Sequence, residues 1–267
     1  MVEVARDERV VRVTLNRAEK LNALDEEIRS GLDTVVRELA EDPTVSVMVL
    51  SGAGRSFSAG ADLSGSGRPS SGSGAPSGSA ASPERTWAMR RHAAGAWQRT
   101  LDALEELPQV TVAALHGHCV GGAALLALAC DIRVADPSLH VSIPELAIGI
   151  PLTWAGVPRL AREIGLPLAR DLVMTGRQID GAEAQRCGFV QRLAAAGQLD
   201  AAVRQLVQEL LAMPAAPLAL TKAMTRALGK ERGAALAWAD ADLLQWSGRE
   251  PESRDAAVSY LRSRLER

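Results

Sequence analysis

The pattern of apolar and polar residues changes period along the chain, and each change predicts a different element. Val2 to Val4 and Val10 to Leu15 largely alternate apolar with polar residues on either side of the charged turn Arg6-Asp7-Glu8, the signature of a β-hairpin. Leu24, Ile28, Leu32, Val35, Val36 and Leu39 then recur at helical spacing behind Asp25, a suitable N-cap, until Asp42-Pro43 stops the run. Val45 to Leu50 and Val110 to Leu115 are short and β-branched but do not alternate cleanly, as expected of strands covered on both faces. From about Trp154 strand signals nearly vanish, apart from Phe189 to Leu193. Helical spacing dominates through Leu199 to Leu211, Leu218 to Leu228 and Gly233 to Trp246. The prediction is an α/β unit over residues 1–195 and a helical region over 196–267.

Between Ser64 and Ser82 the chain is almost wholly Ser, Gly, Ala and Pro, too poor in apolar surface to offset the entropy of ordering it. It reads as a mobile loop within one unit. A domain linker is the competing view, disfavoured because the strands on both sides read as parts of one sheet system. At 267 residues and 47% hydrophobic content the chain can bury a full core. A net charge of −2, with no basic run interleaved with aromatics, argues against nucleic acid as a partner. No apolar run reaches the roughly 18 residues needed to cross a bilayer, and Met1 to Glu8 lacks the pattern of a secretory signal. The expectation is a cytoplasmic protein without membrane contact. Cys119, Cys130 and Cys187 are odd in number and widely spaced, which fits small core residues better than disulfides or zinc.

Three segments carry candidate chemistry. Leu50-Ser-Gly-Ala-Gly-Arg-Ser-Phe-Ser-Ala-Gly-Ala-Asp-Leu63 leaves a buried strand and turns through three glycines, allowing a ligand close to the backbone. It does not match a dinucleotide fingerprint, since Phe57 stands where the next glycine belongs, and it lacks the last glycine of a nucleophile elbow. The second segment, Val110 to Ala135, reads strand, glycine turn, short apolar helix, strand. Gly121 and Gly122 fall at the helix start, where unpaired amides and the dipole suit an oxyanion; tight packing of helix on strand is the alternative. In the third, Glu145 sits among Ile143, Pro144, Leu146 and Ile148. Such company would raise its pKa toward proton transfer near neutral pH, although an exposed Glu at a strand end is the commoner case.

In this order and spacing the segments resemble the crotonase, or enoyl-CoA hydratase/isomerase, family. The resemblance takes in Leu15 to Leu24, Ser58 to Leu63, Gly121-Gly122 with Cys130-Asp-Ile-Arg133, and Pro144-Glu145. It continues through Gly181 to Val190, Pro217 to Lys222 and Asp255 to Leu261. It implies a spiral of repeated ββα units with C-terminal helices that mediate assembly as a homotrimer or a dimer of trimers. It also implies an acyl-CoA substrate and no metal or redox cofactor. By the family pattern the amides of Ala61 and Gly122 face the thioester oxygen, while Lys20, Leu21, Ala23, Asp62 and Leu63 line the CoA chain. Lys222 matches a basic residue that approaches CoA phosphates, including those of a neighbouring subunit; its alternative is a solvated surface lysine. Preorganised amides stabilise an enolate by about 3 kcal/mol each, ~10²-fold in rate.

Two departures from the family pattern narrow the expectation. A hydratase of this family holds water between two glutamates, but Leu125 occupies the first position, flanked by Ala123, Ala124 and Leu126. Loss of one general acid/base costs ~10²- to 10⁴-fold. An apolar residue there with Glu145 retained resembles the enoyl-CoA isomerases; a hydratase with an atypical site and a non-catalytic CoA-ester-binding scaffold are the alternatives. Secondly, Gly149 to Arg159 replaces the family's glycine-rich run and places Trp154 near the acyl pocket, unless it is a core or interface residue. His116 and His118 lie beside the glycine turn without metal-site spacing, and a turn hydrogen bond is expected of His116. Neither His92 nor His140 has a partner visible in sequence, and Asp131 reads as a turn anchor.

Overall fold

In the computed structural model, which describes residues 1–63, 86–230, 240, 242–243 and 250–265, the N-terminal alternation becomes the hairpin it predicts. β1 (Val2–Asp7) pairs antiparallel with β2 (Val10–Leu15), Asp7 opposite Val10. Beyond β2 every pairing in this sheet is parallel. β3 (Val47–Gly52), β4 (Val110–Leu115), β6 (Ile132–Ala135) and β9 (Arg192–Leu193) complete six strands in the order β1-β2-β3-β4-β6-β9. A second sheet holds β5 (His118–Val120), β7 (His140–Ser142) and β8 (Ile179–Asp180). The Ser/Gly-rich stretch 64–82 lies outside the described residues, as does most of the helix expected over Gly233 to Trp246.

The strands lack alternation because both faces of the large sheet are covered. Met48 and Leu50 of β3, with Ala113 and Leu115 of β4, enter the main core with Ile28, Leu32 and Val36 of α1 (Glu26–Ala40). Val47, Val49, Val112 and Ala114 point the other way, onto Val203, Leu206 and Val207 of α8 (Leu199–Leu211). Asp25 caps α1 as expected, accepting from the Ile28 amide at 2.9 Å. The run Phe189 to Leu193 shortens to two strand residues, because the Val190 amide is bound by the Ala184 carbonyl of the helix before it. Helices α2 (Trp87–Ala94) and α3 (Ala96–Glu106) were not expected from the periodicity. In α3 the buried face carries Leu101 and Leu104 at helical spacing, together with Thr100 and Glu105, held by Asp33 at 2.5 Å and Arg162 at 2.8 Å.

Each long strand leads into a short segment laid on the short segment of a neighbouring turn of the chain. Leu24 bridges Ala61, Ser58 bridges Cys119, β5 pairs with β7, and β7 pairs with β8. The chain is therefore the α/β spiral that the family resemblance implied. This stacking brings residues 20–24, 58–62, 118–122 and 140–145 side by side. After β9 the described residues are helical: α8, α9 (Ala215–Lys230) and α10 (Pro251–Leu265), which folds back so that the Ser253 backbone packs against Gly149. Among the described residues no helix is long and apolar enough to cross a membrane.

Candidate active site

The two glycine-flanked turns meet. The Ser58 amide donates to the His118 carbonyl at 2.9 Å, and Val120 returns a bond to the Ser58 carbonyl at 3.2 Å. Two residues later Leu24 takes the other edge, receiving from the Asp62 amide and donating to the Gly60 carbonyl. Because residues 60 and 62 both bond Leu24, the Ala61 amide between them points away, toward the side on which Val120 to Gly122 run. Gly60 makes this approach possible: its φ is +84°, and a Cβ there would overlap the Val120 carbonyl and lie 3.6 Å from the Gly122 nitrogen. Gly122 is the first residue of α4 (Gly122–Leu128), where an amide has no partner within the helix. Neither the Ala61 nor the Gly122 amide donates a hydrogen bond among the described residues.

A carboxylate and an indole flank these glycines. Gly121 has φ +53°, and a Cβ on it would overlap Glu145 Oε1 and sit 3.2 Å from Cδ, so only glycine lets the carboxylate lie against the turn. Glu145 is 9% exposed, and its Oε2 has no hydrogen-bond partner among the described residues. Burial raises its pKa from 4.5 to about 7, the direction its apolar neighbours suggested. Beside Gly122 stands Trp154, whose Cη2 lies 2.7 Å from the Cβ position that glycine leaves empty. Leu125, 1% exposed, is sealed beneath, with its Cδ1 2.8 Å from the corresponding position on Gly156.

Two backbone amides without a hydrogen bond among the described residues, beside a buried carboxylate of raised pKa, match the motifs read from the sequence, and comparison with known proteins agrees on the family. The sequence profile of the enoyl-CoA hydratase/isomerase family matches residues 5–265. The chain belongs to this family. A short-chain-enoyl-CoA hydratase of Clostridium acetobutylicum is 27% identical over 265 residues, covering 98% of this chain and 95% of that protein. The crystal structure of an enoyl-CoA hydratase from Mycobacterium avium subsp. paratuberculosis K-10 shares the fold, with a TM-score of 0.83 at 23% identity over 98% of this chain and 96% of that one. A monofunctional enoyl CoA isomerase from M. smegmatis superposes with a TM-score of 0.68 at 27% identity, over 86% of this chain and 93% of that one.

Of the residues expected to line CoA in this family member, the structure brings five together. The Leu21 carbonyl accepts from the Ala59 amide at 2.8 Å, and Lys20 and Ala23 close a turn at 3.1 Å. Asp62 and Leu63 continue directly from Ala61, on the strand edge bonded to Leu24. Lys222 does not join them within this chain, and it is not the solvated surface lysine that was the alternative. It is 8% exposed, its ammonium 2.7 Å from Asp131 and donating to the Gln109 carbonyl at 2.8 Å. These partners lie where β4 and β6 begin, the opposite ends of those strands from the glycine turns. An ammonium buried in such a pair is not a solvated one.

Asp131 anchors its turn as expected, accepting from the Thr111 amide at 2.7 Å and hydroxyl at 2.9 Å. His116 donates through Nε2 to the Gly54 carbonyl at 3.0 Å, the turn bond foreseen for it. His92 meets Arg99, and the His140 ring tilts against that of His118 with centroids 6.3 Å apart. Cys119 and Cys130 are buried, which raises the pKa of both thiols. Three supporting residues escaped the sequence. Asn22 donates to the carbonyls of Ala53, Ser56 and Phe57, Arg17 bridges Asp25 and Asp62, and Trp97 stacks on Trp154. Asn22 stood within a quoted motif, but nothing local distinguishes Trp97 from a surface residue.

Proposed function

We propose that this enzyme converts 3-enoyl-CoA thioesters to 2-enoyl-CoA, with Ala61 and Gly122 donating to the thioester oxygen and Glu145 moving the proton. The observation that carries this is the Glu145 carboxylate: buried, against the glycine turn, with an oxygen unbonded among the described residues and a pKa of about 7. Ionised Glu145 removes a proton from C2. The electron pair moves into C1–C2, and charge develops on the carbonyl oxygen beside the two amides. Returning the same proton to C4 shifts the C3–C4 double bond to C2–C3 and restores the carbonyl. The balance closes with one carboxylate and calls for no metal or redox cofactor.

Hydration would need a second group to orient and deprotonate water. The family position for it is Leu125, on a helix whose seven residues are all buried and carry no carboxylate. The fold is shared by hydratases and by a monofunctional isomerase alike, so the choice rests on Leu125. Isomerisation of 3-enoyl-CoA is expected to be faster than hydration of 2-enoyl-CoA, and Glu145→Gln to lower both by ~10²-fold or more. Hydration at least as fast as isomerisation overturns the first claim; activity retained by Glu145→Gln overturns the second. We propose further that the enzyme assembles as a homotrimer or a dimer of trimers. Leu220 and Met224, one turn apart on α9 and 64% and 70% exposed, supply an apolar face for such contact.

A further inference from the structure

An acyl group next to Gly122 would meet an aromatic wall. The Trp154 indole presses on Gly122 and stacks on Trp97 of α3, with ring centroids 5.0 Å apart and planes inclined by 17°. Aromatic residues make up 3% of the sequence, and both phenylalanines, Phe57 and Phe189, are sealed in the core. The two indoles are instead half-buried, packed against the main core, and Trp154 is the one that borders Gly122.

The ring is also held where it is at a conformational cost. Trp154 and Ala155 have φ of +60° and +55°, a region that bulky side chains avoid. Asp240 accepts from the Ala155 amide at 2.7 Å, and Gly156 lets the turn close onto Leu125 and Leu152. The indole orientation is thus set from α3, from the turn before α5 (Gly156–Ile164) and from residue 240.

We propose that Trp97 and Trp154 form the acyl-recognition surface, and that the acyl group it takes is flat and conjugated, an arylalkenoyl or polyenoyl chain in preference to a saturated straight one. This rests on the thioester reading of Ala61 and Gly122. A planar π system lies against an indole in the offset geometry the two indoles already adopt with each other, whereas a methylene chain does not. Such contacts are worth roughly three- to tenfold in affinity beyond the area they bury.

Calorimetry with two thioesters that cannot isomerise tests this, using 3-phenylpropanoyl-CoA and hexanoyl-CoA, with free CoA as reference. The wild-type protein is expected to bind the phenyl ester roughly three- to tenfold more tightly than the hexanoyl ester. Trp154→Leu and Trp97→Leu should bring that ratio to about one while free CoA binds as before, and Trp154→Phe should keep most of the preference. Equal or tighter binding of the hexanoyl ester by the wild type overturns the proposal, as does a preference that survives both leucine variants. The wild-type ratio decides by itself if a leucine variant does not fold. Failure of either thioester to bind better than free CoA overturns the thioester reading instead, and this proposal with it.

Discussion

Glu145 shows how a single side chain can have its direction of pKa shift written in its neighbours but its cause elsewhere. Ile143 is buried, yet Leu146 is 46% exposed, so flanking apolar residues do not enclose the carboxylate. The Gly121 turn does, by letting Oε1 lie against its backbone. Because the base must be ionised, kcat/KM should rise with pH through about 7; a limb near 4.5 would show an ordinary, solvated carboxylate. Stability should move the opposite way. A raised folded-state pKa favours the neutral acid, so its contribution is complete below about 4.5 and is lost as pH passes through 7, a change of order 3 kcal/mol. Glu145→Gln should therefore be more stable than wild type at pH 8 and close to it at pH 4. Equal stabilities at both pH values in denaturant titrations would refute that origin of the shift.

At the scale of elements, the turn that delivers Ala61 depends on a segment that precedes it by about forty residues in sequence. Asn22 is fully buried at φ +55°, and its side chain receives from the Arg17 amide while donating to three carbonyls of the 53–57 loop. Its own carbonyl accepts from Ser58 Oγ at 2.7 Å, and that hydroxyl in turn accepts from the Gly60 amide at 3.1 Å. One amide side chain therefore ties the expected CoA-lining turn to the loop that delivers Ala61. Asn22→Ala leaves buried acceptors unpaired and should cost about 2–4 kcal/mol, lowering kcat as well as the denaturation midpoint. A midpoint indistinguishable from wild type would mean that water replaces the side chain without loss. The helix before β4 mixes the two kinds of contact: in α3, Leu101 and Leu104 enter the core at helical spacing while Glu105 is paired with Arg159 and Arg162.

Across the whole molecule, charged residues link the layers through the interior. Arg133, 1% exposed, pairs with Glu163, Glu163 with Arg162, Arg162 with Glu105, and Arg159 joins Glu105 to Asp102. Lys222 belongs to this kind of scaffolding, fastening α9 to the strand ends through Asp131. Lys222→Met should therefore lower stability, by about 1–3 kcal/mol given that Asp131 is partly solvated, and leave KM for acyl-CoA unchanged. A several-fold rise in KM without loss of stability would return Lys222 to the CoA site.

What the sequence by itself determined is what short-range periodicity and backbone chemistry can encode. The hairpin, the capped first helix, the doubly covered strands, the two glycine turns and the lone glutamate all follow from local residue types. Tertiary structure decided whatever depends on residues distant in the chain. It set Trp154 on Gly122 and against Trp97, turned Lys222 inward to Asp131, and drew the four short segments of the spiral into one site. A residue's type states which contacts it can make, but only the path of the chain determines which partner is within reach.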